Sequence, residues 1–428
     1  MATESATRPD VTIEDIELAA ERIRGGVVET ACTHSPGLTA RYGADIWCKL
    51  EYQQVTGSFK ERGARNTMLQ MDSASRRRGV VAASAGNHAL ALAYHGRDLG
   101  IPVTVCMPKW APLVKQERCA ALGARVILHG ENIAEARGRA DEAVAECACT
   151  YINGFDDAPI IAGAGTIGLE IARQVPDADA IVVPIGGGGL VAGIAVAARA
   201  ALPRAAIVGV EPARAASWTA AVAAGGPIMA HLEPTLADGL AVPRVGPRAF
   251  ALGRDLVHRV ECVGEDDLSL AILRLVEEER GVVEGAGASG LAAFIAGRLD
   301  DLRGKRVVLV LCGGNIDPST LSRVIEHSLA VDGRLVQFTA MIRDRPGGLA
   351  ALAGLIAQSG ASVKQIMHDR TFAGADVSRV QVVCQIEVRH REHAEQLYAL
   401  LEANGIDVLS RTGASPSADS TRSDAMRG

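Results

Sequence analysis

The chain has 428 residues, room for about three folding units, and its 48% apolar and 22% charged residues make an ordinary globular balance. A net charge of −6 argues against a general nucleic-acid or anionic-membrane surface, and a 3% aromatic share leaves little for base stacking. The 46 glycines suit tight turns and close approach of backbone to a ligand.

Residues 1–10 read as disordered. The polar N-terminus carries no apolar signal core, and no apolar run reaches membrane-spanning length, so a cytoplasmic protein is expected. Thr12 is a candidate N-cap, with Asp15 three residues on and Gly25-Gly26 as a stop, which predicts a helix to Arg24. From there to about residue 325, β-rich runs alternate with Ala-rich amphipathic segments. Strands are expected at 79–83, 103–107, 180–184, 207–210 and 307–311. Such alternation predicts right-handed βαβ units, mostly parallel sheets, and ligands at the carboxyl ends of strands.

The pattern changes after residue 326. Strands at 335–343, 362–367, 379–388 and 406–409, with helices at 348–359 and 392–403, make a β-α-β-β-α-β ferredoxin-like module. The expected division is 1–327 catalytic, with a small subdomain at about 56–154, then a linker at 328–333. The module follows at 334–410, and a disordered tail at 411–428. The nine cysteines are scattered and form no CxxC pair, which predicts reduced buried thiols.

Three GxGxxG-like strings occur, at Gly163–Gly168, Gly187–Ala192 and Gly285–Gly290. The middle one follows a strand and opens an apolar helix, and Glu211 ends the next strand 22 residues after Gly189. Nicotinamide binding is therefore a rival reading. The full string, Gly186-Gly187-Gly188-Gly189-Leu190, leaves a run of backbone N–H groups unshielded at a helix start, a cradle that needs only a single phosphate.

Thr56-Gly-Ser-Phe59-Lys60 places one lysine at another helix start, where the helix's positive end should lower its pKa and suit it to act as nucleophile or base. Ser84-Ala85-Gly86-Asn87-His88 follows a strand and opens a helix. Its N–H groups and the Ser84 hydroxyl can hold a carboxylate, Asn87 offers both a donor and an acceptor, and His88 is either a base or a loop-fixing residue. Cys312-Gly-Gly-Asn315 ends an apolar strand in front of two glycines, where a ligand contact competes with simple packing.

Together with Ala237-Asp238-Gly239 and Glu284-Gly-Ala-Gly-Ala288, these pieces resemble the threonine/serine dehydratases of the fold-type II, tryptophan synthase β-like pyridoxal-phosphate enzymes. The resemblance spans about residues 12 to 325. It implies that Lys60 carries the internal Schiff base, that Gly186–Gly189 and Leu190 bind the phosphate, and that Asn87 meets the ring hydroxyl. It further implies that Ser84 to His88 hold the substrate carboxylate, that Cys312 faces the pyridine nitrogen, and that Phe59, Gly239 and Glu284 line the site.

Two departures stand out. Leu90 replaces a glutamine frequent in relatives, and Ser217 occupies the second position of a cation site whose first would be Glu211, so no metal is expected. The C-terminal module resembles an ACT domain, which implies an amino-acid effector, a dimer or tetramer, and a place in isoleucine biosynthesis. The implied activity is α,β-elimination of ammonia from L-threonine, giving 2-oxobutanoate, and from L-serine, giving pyruvate. A serine or aspartate racemase, or a dehydratase of another hydroxy amino acid, stays open.

Overall fold

The computed structural model describes residues 10–369 and 378–412, so the expectations for residues 1–9 and 413–428 lie outside the described residues. The chain forms two compact units divided between Asp317 and Pro318.

The first unit holds two sheets. The larger has six strands in the order Cys32–His34, Asp45–Lys49, Arg306–Val310, Ala180–Pro184, Ala206–Pro212 and Arg259–Val263. All its pairings are parallel except the first. The β-branched run Ile181-Val182-Val183 and its neighbours Val307 and Val308 are wholly buried, as a sheet covered on both faces requires. The smaller sheet, Arg125–Leu128, Val103–Met107, Val80–Ala83 and Thr150–Tyr151, is all parallel. Thr12 and Asp15 close a capping box on the helix Ile13–Ile23, whose Ile16, Ala19 and Ile23 face inward.

The first GxGxxG string is a packing stripe and not a ligand loop. It lies inside the helix Ala158–Gln174, which crosses the helix Gly189–Ala201 so closely that a Cβ on Gly165 would sit 2.9 Å from the Gly193 carbonyl oxygen. The cysteine expectation is corrected at one place. Cys147 ends the helix Ile133–Cys147, Ala148 takes φ +50°, and the turn brings Cys149 back to form a disulfide with Cys147, with 5.2 Å between their Cα atoms.

The second unit opens with the helix Pro318–Val331, so residues 328–331 of the expected linker are helical. An antiparallel sheet follows, in the order Ser362–Asp369, Arg379–Glu387, Leu335–Arg343 and Asp407–Thr412, with helices Gly348–Ser359 and Arg391–Ala403. The alternation seen in the sequence is the burial pattern. Val336, Phe338, Ala340 and Ile342 join Val380, Val382, Cys384 and Ile386 in one core with Leu352 and Leu397. The last strand runs past the expected end: beyond a register shift between Thr339 and Ala340, Arg411 pairs with Phe338 and Thr412 with Gln337.

Candidate active site

Lys60 is placed by a stitch between distant segments. Ser58 bridges Gly313, the Phe59 N–H donates to the Cys312 carbonyl at 3.0 Å, and the Gly314 N–H donates to the Gly57 carbonyl at 2.9 Å. The helix Lys60–Leu69 starts there. Lys60 Nζ donates to the Gly154 carbonyl at 2.5 Å and lies 4.9 Å from the Phe59 ring centre. Its pKa falls to about 8. Burial is the main cause, with the Cys312 and Glu284 side chains nearby opposing it, so desolvation and not the helix end lowers it.

Asn87 opens the helix Asn87–Leu99. Its Nδ2 donates to Glu284 Oε1 at 2.6 Å, and its Oδ1 accepts from Asn315 Nδ2 at 2.8 Å. Burial, reinforced by Asp238, lifts the Glu284 carboxyl to about 7, against the hydrogen bond from Asn87. The Glu284 N–H donates to the Gly313 carbonyl at 3.0 Å, and a Cβ on Gly239 would lie 3.8 Å from Glu284 Oε1. Cys312 is 3% exposed, and burial holds its thiol far above the usual range, so it is neutral. Ser84 Oγ accepts from the Gly86 N–H at 3.3 Å, next to the half-buried Ala85.

The tetraglycine joins the strand Ala180–Pro184 to the helix Gly189–Ala201. Gly188 has φ +92°, a conformation open to glycine. A Cβ on Gly187 would meet the Phe155 ring at 2.2 Å, and one on Gly189 the Phe155 carbonyl oxygen at 2.1 Å. The N–H groups from Gly188 through Val191 precede the first intrahelical bond, from the Ala192 N–H to the Gly188 carbonyl, and are left for a ligand at the helix start, while Leu190 is buried. Helix start and buried lysine together fit a cofactor with one phosphate and one aldehyde.

Gly154 and Phe155, which the sequence reading passed over, form the strap between these two centres. Gly154 holds the lysine amine and Phe155 abuts the glycines. His88 lies against the same strap. Its Nε2 meets the Ile152 carbonyl at 3.1 Å, and a Cβ on Gly154 would come within 2.9 Å of its Cγ. Burial, followed by the nearby Lys60 charge, depresses its pKa to about 3, so its imidazole is neutral. A second unforeseen group lies below Lys60. Arg62 bonds Glu51 through Nε and Nη2 at 2.8 Å each and Glu170 through Nη1 at 2.6 Å, and Lys49 Nζ meets Glu170 at 2.6 Å. Two cations and two carboxylates thus balance in a buried cluster.

The nicotinamide reading fails on Glu211. Its carboxylate accepts from the Trp218 and Thr219 N–H groups and from Thr219 Oγ1, so it is not presented to a ribose. Among the described residues, no group of three or more His, Cys, Asp or Glu side chains is arranged to hold a metal ion. No helix of the described residues is long and apolar enough to cross a membrane.

The family of pyridoxal-phosphate-dependent enzymes matches residues 23–313. This chain belongs to that family. It is similar to an L-threonine ammonia-lyase of Thermotoga maritima, 39% identical over 398 residues, which are 93% of this chain and 99% of the relative. Among solved structures it resembles the processed form of threonine deaminase isoform 2 from Solanum lycopersicum. The TM-score is 0.70 at 35% identity, over 74% of this chain and 87% of that one. It also resembles maize serine racemase, with TM-score 0.71 and 32% identity, over 75% of this chain and 98% of that one. Pyridoxal phosphate is the cofactor of this family, and the sheet order and lysine site described above are the setting in which this chain presents its residues to it.

Proposed function

We propose that the chain is a threonine ammonia-lyase that converts L-threonine to 2-oxobutanoate and ammonia, and L-serine to pyruvate and ammonia. The observation that carries this reading is the pairing of a buried lysine amine, its pKa lowered to about 8, with a cysteine thiol that burial keeps neutral. The likeness to the Thermotoga enzyme along nearly both whole chains supports threonine as substrate.

Bound pyridoxal phosphate supplies the aldehyde that captures the substrate amine and the conjugated ring that accepts the electron pair of the α-carbon. The residues do the rest. The N–H groups at the start of the helix Gly189–Ala201 hold the phosphate, and Ser84 with the N-terminus of the helix Asn87–Leu99 holds the substrate carboxylate. Lys60 Nζ takes the α-proton and, now protonated, returns a proton to the departing β-hydroxyl. Cys312 would lie against the ring nitrogen of the bound cofactor. As a neutral thiol it offers no counter-charge to a protonated ring, which favours loss of the β-hydroxyl over transamination. The released enamine takes up water to give the 2-oxo acid and ammonia.

The test offers the purified holoenzyme L-threonine, L-serine and L-aspartate and measures 2-oxo acid, ammonia and D-isomers. Ammonia and 2-oxobutanoate from threonine are expected. D-serine or D-aspartate as the main product would replace this reading with that of a racemase, which the maize structure keeps in view. The maize enzyme leaves a quarter of this chain unmatched, whereas the Thermotoga relative covers nearly all of it.

We read the second unit as an ACT-like regulatory module that takes an amino-acid effector near Asp344–Leu349, in a cytoplasmic homodimer or homotetramer serving isoleucine biosynthesis. Its sheet order and two helices support that reading. A shift of the threonine saturation curve by branched-chain amino acids is the expected result, and an unchanged curve removes the effector.

A further inference from the structure

We infer that Asn315 is a positioning residue that sets which way the amide of Asn87 faces, so that Asn87 presents a hydrogen-bond donor to the cofactor. Asn315 closes the Cys312-Gly-Gly-Asn315 run, and its side chain reaches three separate segments. Its Nδ2 donates to the Thr56 carbonyl at 2.7 Å and to Asn87 Oδ1 at 2.8 Å. Its Oδ1 accepts from Arg118 Nη1 at 3.0 Å. Thr56 leads into Lys60, Asn87 starts the helix Asn87–Leu99, and Arg118 lies on the helix Leu113–Ala121.

The orientation has one solution. Arg118 has only donors and the Thr56 carbonyl only accepts. Turning the Asn315 amide over would set donor against donor at Arg118 and acceptor against acceptor at Thr56. With Asn315 Nδ2 aimed at it, Asn87 must offer its oxygen there. Its Nδ2 then faces Glu284 Oε1 at 2.6 Å, with a second hydrogen to spare. That hydrogen is what Asn87 offers a ligand, and it matches an acceptor such as a ring oxygen that carries no proton. The fit is close: a Cβ on Gly57 would lie 2.8 Å from Asn315 Oδ1, so the turn before Lys60 is shaped around this amide.

The inference rests on the reading that Asn87 meets the ring hydroxyl, and the experiment separates the two. Asn315→Asp keeps the shape and removes both donors, so Asn87 is expected to turn over. Four quantities are read for the wild type and each variant. They are the dissociation constant of pyridoxal phosphate from tryptophan fluorescence, the ratio of visible to near-ultraviolet absorption of the bound cofactor, and kcat and KM for threonine. The absorption ratio reports whether the ring oxygen carries a proton.

For Asn315→Asp the dissociation constant should rise about ten-fold, the ratio should fall, and kcat should drop more than KM rises. Arg118→Met should move the ratio the same way with about a two- to three-fold weaker affinity, and Arg118→Lys should restore it. Wild-type affinity and ratio in Asn315→Asp overturn the inference. So does weaker affinity at an unchanged ratio, which is the mark of a merely structural role. If Asn315→Asp does not fold, an unchanged ratio in Arg118→Met overturns it. Asn87→Ala decides the underlying reading: an unchanged ratio there removes the Asn87 contact, whereas a shift there without one in Asn315→Asp removes only the positioning role.

Discussion

Lys60 and Glu284 are displaced in opposite directions by the same cause, burial that disfavours charge. Their effects on stability occupy different pH windows. The folded protein holds the Glu284 proton up to about 7, against 4.5 when unfolded, so stability is lost as pH rises between those values, on the order of 3 kcal/mol in all. Lys60 gives up its proton at about 8 in the folded protein and at 10.5 unfolded, so stability increases with pH across that interval. Urea unfolding of the cofactor-free protein should therefore show a fall and then a rise. Glu284→Gln should flatten the first and Lys60→Met the second, and an unflattened fall in Glu284→Gln would remove that carboxyl as its source.

In the holoenzyme, Lys60→Ala should lower kcat by more than about a thousand-fold, and borohydride should fix the cofactor to Lys60 and to no other lysine. Cys312→Ser should keep most activity and Cys312→Asp should slow elimination and raise transamination, read from the product ratio. These residues were legible because each sits in a short run with its own chemistry. Gly154 was not, because it acts through a backbone carbonyl, which any residue possesses.

Between elements, the cluster of Lys49, Glu51, Arg62 and Glu170 joins the strand Asp45–Lys49 to the helices Lys60–Leu69 and Ala158–Gln174. Arg62→Met would leave two carboxylates facing one ammonium in a dry interior. It should cost on the order of 3–5 kcal/mol, seen as a lower Tm in the cofactor-free protein. Burial acts to neutralise Glu51, but Arg62, Lys49 and the Thr30 hydroxyl together outweigh it and hold the carboxyl below its usual range. The sequence could not reveal the cluster: its members lie up to 121 positions apart, and charge in a linear pattern reads as surface. The strand–glycine–helix order was readable, since four glycines in a row have few other uses. What they pack against was not, because Phe155 belongs to a loop with no periodicity. Gly189→Ala should push the Phe155 carbonyl and the helix start apart, and equilibrium dialysis should show a large loss of cofactor affinity.

Over the whole molecule, the alternating strands of the C-terminal sheet were legible down to single residues, because one buried face imposes a period of two. The division between units was less so. Proline at 318 starts an amphipathic helix that clusters with the second unit, so the boundary falls before the helix and not after it. A chain ended after Asp317 should keep cofactor binding and ammonia release from threonine while losing any effector response. A truncated chain that binds no cofactor would show that the second unit supports the first.

The order of strands in the large sheet also bears on how the protein is made. Arg306–Val310 lies between Asp45–Lys49 and Ala180–Pro184, yet it is the last of the six to leave the ribosome. Until it arrives, the nascent sheet has a slot at its centre, two unpaired edges face each other, and the lysine segment lacks the Gly313 it will be stitched to. A stalled or clipped chain ending short of that strand is therefore not a smaller enzyme but an open sheet, prone to capture a strand from another molecule and in need of a holding chaperone. Synthesis of the C-terminal unit then allows the catalytic unit to close while the chain is still tethered.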